Sequence, residues 1–175
     1  MKGETETGGV RKTGIPSMKE LRASPGYPGP ELLARGPIAV IECVQDIPCN
    51  PCEAACRRGA IHVGNPITNL PVFYGEKCNG CGNCIPVCPG QAIFLVDMTY
   101  SEDRASVSFP YEFLPMPAKG DIVEGVNRAG EVVCRAEVLR VQKPKRFDHT
   151  AVITVAVPKE LAMEVRSMKR LKREG

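Results

Sequence analysis

Eight of the chain's nine cysteines fall between Cys43 and Cys88, and their spacing constrains the fold more than any other feature of the 175 residues. Cys78, Cys81, Cys84 and Cys88 follow the pattern C-x2-C-x2-C-x3-C, with Pro89 next. Cys43, Cys49, Cys52 and Cys56 form a looser copy, C-x5-C-x2-C-x3-C, followed by Arg57. The two runs belong to a repeat. Shifting the chain by 32 positions lays Cys49, Cys52, Cys56, Ala60 and Ile61 on Cys81, Cys84, Cys88, Ala92 and Ile93. A period of this length describes two stacked copies of one supersecondary unit. Each copy reads as strand, cysteine loop, short helix, strand, with entering strands expected at 38–43 and 72–74 and leaving strands at 60–63 and 92–96.

Residues 1–6 carry no apolar stretch, so no secretory leader is expected and the chain reads as cytoplasmic. The apolar run at 151–157 is far short of a membrane span. In a reducing compartment, clustered thiols point to metal rather than to disulfides. Three thiolates at intervals of three come from one tight loop and can reach three irons of one 4Fe–4S cube. The fourth sits across a helical turn and points towards a second cluster. Gly80 and Gly82 let the backbone approach closely and aim N–H groups at sulfur. Two four-cysteine zinc sites are the competing reading, but zinc prefers paired C-x2-C knuckles separated by longer loops.

Residues 38–99 resemble the two-cluster bacterial ferredoxins. The resemblance implies an α+β, ferredoxin-like, pseudo-symmetric domain holding two 4Fe–4S clusters. It implies Cys56, Cys78, Cys81 and Cys84 as ligands of one cluster and Cys43, Cys49, Cys52 and Cys88 as ligands of the other. The departures are the longer Cys43–Cys49 gap and the missing proline after Cys56. The ungapped repeat sets Asp46, not Cys43, opposite Cys78, which leaves two candidates for that ligand position. The softer thiolate binds cluster iron more tightly than a carboxylate, which favours Cys43.

The flanks differ in character. Residues 1–37 hold seven Gly and five Pro and are expected as an extended arm laid on another surface, with single helical turns near 17–23 and 31–34. Residues 100–175 read as a small β-rich module, with strands at 107–109, 121–126, 132–141 and 152–157. Asn127-Arg128-Ala129-Gly130 is the expected hairpin turn. Pro158 then opens an expected closing helix, since Leu161, Val165, Met168 and Leu171 recur at helical spacing. The basic cluster at 169–173 would cap that helix rather than bind nucleic acid. Cys134 is expected as a buried structural thiol, His62 and His149 as structural or exposed. Arg57 and Arg58 either raise the potential of the Cys56 cluster or are simply solvated.

The formal charge is +3. Two clusters, each about −2 with its thiolates, would take it to about −1. A diffusing carrier usually steers itself with a strong acidic field, which is lacking here. Aromatic residues make up 5%, Trp is absent, and no nucleotide-binding or triad motif is present, so no catalytic site of the chain's own is legible. The expected function is an electron-transfer subunit of a multi-subunit, flavin-dependent oxidoreductase, with FAD or FMN in flavoprotein partner subunits. Its cysteine loop and long extension are similar to iron–sulfur subunits of FAD-dependent amino-acid dehydrogenases of the proline and hydroxyproline type. A free soluble ferredoxin carrier is the alternative.

Overall fold

The computed structural model describes residues 9–172; the leaderless start expected at residues 1–6 and Arg173 of the basic cluster lie outside the described residues. The chain begins with three short helices, α1 (Val10–Thr13), α2 (Met18–Ala23) and α3 (Pro30–Leu33). Helix α2 starts at a reciprocal cap: the Ser17 hydroxyl accepts from the Glu20 backbone N–H, and the Glu20 carboxylate accepts from the Ser17 backbone N–H. Composition suggests that this segment lies on another surface. It packs on its own chain instead: Leu21 is fully buried, the Ser24 hydroxyl donates to the Cys43 carbonyl at 3.0 Å, and Phe73 N–H donates to the Pro25 carbonyl at 3.1 Å.

Strand β1 (Ile38–Ile41), helix α4 (Pro51–Ala55), β2 (Ile61–His62), β3 (Val72–Phe73) and β4 (Ile93–Asp97) follow, close to where the repeat sets them, except that turns at 83–87 replace the short helix expected in the second copy. Strands β1 and β4 pair antiparallel, as do β2 and β3. The next strands are β5 (Arg104–Tyr111), β6 (Ile122–Val126), β7 (Val132–Gln142), β8 (Ala151–Pro158) and β9 (Ser167–Met168). The β6–β7 hairpin turns at Asn127–Gly130 as expected, with Asn127 N–H donating to the Glu131 carbonyl and Gly130 at φ +78°.

One seven-stranded sheet runs β1-β4-β5-β8-β7-β6-β9. It crosses the boundary expected at residue 100 without interruption, because β4 pairs directly with β5. Strand β1 is buried on both faces, so it carries no polar alternation. Val40, Phe94 and Val96 face a core completed by β5 to β8, including Val107, Phe109, Val138 and Val155. Ala39, Ile41, Ile93 and Leu95 face a second core that contains Cys52 and Cys84, with Cys43, Cys56, Cys78 and Cys88 packed against it.

The closing helix expected after Pro158 is replaced by extended chain. One 3-10 turn at Lys159–Leu161 is followed by a segment whose backbone is captured by β6: Arg166 N–H donates to the Val126 carbonyl and Lys169 N–H to the Glu124 carbonyl. Val165 and Met168 are buried as expected, but against the open edge of β6, which satisfies their backbone better than an isolated helical turn would. Among the described residues the basic cluster therefore caps no helix. Lys169 pairs with Glu124 at 3.2 Å, and Arg170 lies over the Phe113 ring.

Candidate metal centre

The cysteines are carried by short, tightly constrained loops. Helix α4 presents Cys52 and leads into Cys56, with Pro51 at its first turn where the missing N–H costs nothing. Between Cys78 and Cys84 the chain turns at Gly80 (φ +68°) and Gly82 (φ +72°), a conformation that residues with a Cβ avoid. Gly80 is also pressed against Pro37: a Cβ there would sit 2.7 Å from both the ring and the carbonyl oxygen.

These loops gather the eight cysteines into two quartets. Cys43, Cys49, Cys52 and Cys88 line one cavity of about 400 Å³. Cys56, Cys78, Cys81 and Cys84 line a second, narrower one. The division is that implied by the ferredoxin resemblance, with the last cysteine of each run crossing to the other quartet. Asp46 lines neither cavity, and Cys134 lines neither. Cys134 is half-buried in β7, beside Gly125 of β6, and Val132 on the same strand is exposed. The local hydrogen bonds repeat as the sequence does. Ala60 N–H donates to Cys56 Sγ at 3.2 Å and Ala92 N–H to Cys88 Sγ at 3.4 Å.

Electrostatics divide the thiols the same way. Burial, and then the neighbouring Cys78, Cys81 and Cys56, push the Cys84 thiol well above its ordinary value. Burial first and then Cys88, with smaller parts from Cys49 and Cys43, push Cys52 up to about 11. Burial and Cys88 also raise Cys43, helped by Cys49 and Asp46 and opposed by the Gln45 N–H. Thiols that disfavour the free thiolate this strongly need positive charge to ionise, which iron supplies.

Each quartet offers four thiols around a cavity, a donor set that fits a 4Fe–4S cluster. Four sulfurs around a cavity, with a backbone N–H on one of them in each quartet, suit a polynuclear core.

Each quartet has one buried cysteine, Cys52 in the first and Cys84 in the second, and Cys81 of the second is exposed. The first cavity is roofed by Val10, Gly14 and Pro16 of the N-terminal segment. Arg58 lines the second cavity and Arg57 does not; both are exposed. His62 meets an acid that spacing alone did not reveal, Glu53 of α4, at 2.5 Å, and both lie outside the two cavities.

The feature that sequence reasoning missed lies beside the first quartet. Glu42, next to Cys43, is buried between Arg128 (2.6 Å) and Arg166 (2.7 Å). Burial alone would push the Glu42 carboxyl up, but hydrogen bonds from Arg128 and the charge of both arginines hold it below its ordinary value. Arg128 sits in the β6–β7 turn and Arg166 just before β9, so the group ties the two ends of the seven-stranded sheet together. Three charged residues scattered over 124 positions leave no local signature in a sequence.

Comparison with known proteins agrees with the cysteine reading. The 4Fe-4S binding domain family matches residues 71–94. Over 68 residues the chain is 41% identical to the ketoisovalerate oxidoreductase subunit VorC of Methanothermobacter marburgensis, covering 37% of this chain and 86% of that one. Over 49 residues it is 41% identical to a subunit of the ion-translocating oxidoreductase complex of Methanosarcina acetivorans, covering 28% of this chain and 17% of that one. Protein Pixie of Drosophila melanogaster is 25% identical over 122 residues, covering 59% of this chain and 20% of that protein. The chain thus spans most of the first relative and about a fifth or less of the other two. No solved structure matches. Among the described residues no helix is long and apolar enough to cross a membrane.

Proposed function

We propose that this chain, which belongs to the family of 4Fe–4S-binding oxidoreductase subunits, relays single electrons through two clusters, one per cysteine quartet, inside a hetero-oligomeric complex. The observation that carries the reading is the sorting of eight cysteines into two cavities, four to each. A 4Fe–4S cluster, when bound, stores and passes one electron at a time. The chain's own part is to hold two such groups in fixed relation on β1, β4 and α4 and to donate backbone N–H to the sulfurs of Cys56 and Cys88.

The two ends of this wire differ. Exposed Cys81 makes the second quartet the point of exchange with a partner, while the N-terminal segment covers the first. The loop after β5 carries exposed Phe113 and Leu114, and the part of the chain beyond residue 100 serves as the docking face for the remaining subunits. In the finer reading a partner flavoprotein with FAD or FMN oxidises an amino acid or amine and feeds electrons to this chain. The similarity to a ketoisovalerate oxidoreductase subunit favours a second reading, in which the partner acts on a 2-oxo acid.

The test is anaerobic purification of the chain from its native host with whatever accompanies it. About eight irons per chain and a co-purifying flavoprotein are expected. A colourless protein, or one with about one zinc per quartet, would overturn the iron–sulfur assignment. A brown monomer without partners would instead make it a free carrier. A partner without flavin that consumes 2-oxo acids would select the second reading.

A further inference from the structure

Arg128, Glu42 and Arg166 line the same cavity as Cys43, Cys49, Cys52 and Cys88. All three are largely withdrawn from water, with side chains 11%, 5% and 4% exposed. Arg128 holds the Glu42 carboxylate through two nitrogens, at 2.8 and 2.6 Å, and donates also to the Met163 carbonyl. Arg166 holds it through Nε at 2.7 Å, stacks over Phe94 at 5.0 Å, and donates to the Ala162 and Val165 carbonyls. Among the described residues its buried Nη2 has no hydrogen-bond partner. Two guanidinium groups against one buried carboxylate leave a buried charge of about +1 that arginine cannot lose by deprotonation; the Glu164 carboxylate, 3.9 Å from Arg128, is half exposed and offsets it only through solvent.

This charge is joined to two cysteines of the quartet. Glu42 precedes Cys43 in the chain. Its backbone N–H donates to the Ala92 carbonyl at 2.8 Å, and Ala92 N–H donates to Cys88 Sγ. Both arginines line the cavity with the four cysteines and act across its space rather than by ligation; withdrawn from bulk solvent, their charge is weakly screened. Among the described residues lining the second cavity, the cation is Arg58, which is exposed.

We propose that the Arg128–Glu42–Arg166 group sets the reduction potential of the cluster held by Cys43, Cys49, Cys52 and Cys88, raising it above the value the same quartet would have without it. The inference rests on the two-cluster reading above. The step is the gain of one electron from an external one-electron reductant, taking the cluster with its thiolates from about −2 to about −3 with no proton transfer. A nearby positive charge stabilises the more negative form. These are positioning residues, since none needs to touch the iron.

The test is a potentiometric EPR titration of the full chain, with the cluster of Cys56, Cys78, Cys81 and Cys84 as internal reference. Arg128→Gln removes a positive charge and is expected to lower the first cluster's potential. Glu42→Gln removes the negative charge and is expected to raise it. Arg128→Lys keeps the charge and is expected to stay near the unaltered chain. The shifts should be on the order of tenfold in the reduced-to-oxidised ratio at fixed ambient potential, which is ~59 mV for one electron. With iron content unchanged, shifts of the same sign in Arg128→Gln and Glu42→Gln, or equal shifts in both clusters, would overturn the proposal. Should Glu42→Gln fail to fold, Arg128→Gln against Arg128→Lys decides it alone: matching potentials would remove the role of charge. An unaltered chain with only about four irons would sink the two-cluster reading, and the same variants then decide this proposal on the single cluster.

Discussion

Cys43 and Asp46 compete for one ligand position, and their surroundings differ. Cys43 lines the first cavity with three other cysteines, its thiol raised by burial and by Cys88. Asp46 is exposed and lies off the cavity. Replacing Cys43 with Ala is expected to lower the iron content from about eight to about four, or to leave a three-iron remnant visible by EPR. Asp46→Ala should leave both clusters intact; the reverse outcome would give the position to the carboxylate. Glycines offer a second test at this scale. Gly80 and Gly59 have similar positive φ, +68° and +62°, but only Gly80 faces a wall, with Pro37 2.7 Å from an added Cβ. Gly59→Ala incurs backbone strain alone, about 1–2 kcal/mol. Gly80→Ala must also move the loop between Cys78 and Cys81, so it is expected to lose the second cluster while Gly59→Ala keeps it. Equal iron content in the two variants would refute the steric argument.

At the level of elements, the N-terminal segment covers the first cavity and is held by the cap of α2. The Glu20 carboxylate that completes the cap also accepts from Val10 N–H at 3.2 Å, which ties α1 down. Hydrogen bonding to the Ser17 backbone and hydroxyl keeps that carboxyl below its ordinary value. Ser17→Ala removes the hydroxyl half of the cap and should cost about 1 kcal/mol. Its signature is expected at the cluster: faster iron loss to a chelator from the first quartet, with the second unchanged, followed by EPR. Equal rates at both would mean that the segment does not cover the first site.

Four of the five strands beyond residue 100, and the β-hairpin joining two of them, were legible, because β-branched runs bounded by turn residues are local signals. The end of the chain was not. Val165 and Met168 recur at a spacing that suits helix, yet the open edge of β6 claims their backbone. The cysteine quartets were legible because cluster chemistry fixes spacing along the chain. What the arm would lie on was not, since Pro and Gly describe a shape and leave the surface it meets unspecified.

On the scale of the whole molecule, the sheet makes one body of what composition divides in three. Strand β5 pairs with β4 at Leu95, Val96 and Asp97, and the core facing Phe94 and Val96 is completed by strands beyond residue 100. Cutting the chain after Asp97 would bare the β4 edge and that apolar face together. The fragment is expected to aggregate, measured as the soluble brown fraction against the full chain. A soluble fragment with about eight irons would make the later strands a detachable module.

The Arg166 bond to Glu42 joins residues 124 positions apart, and it has a consequence for synthesis. A ribosome adding about 5–20 residues per second needs roughly 6–25 s to travel from Glu42 to Arg166. All eight cysteines of the quartets have been made by Cys88, before the midpoint of that interval. The first cavity therefore waits with its ligands present and one wall missing. On the reading proposed above, iron and sulfide delivered at that stage would find that side open, and the later arrival of Arg166 would close it.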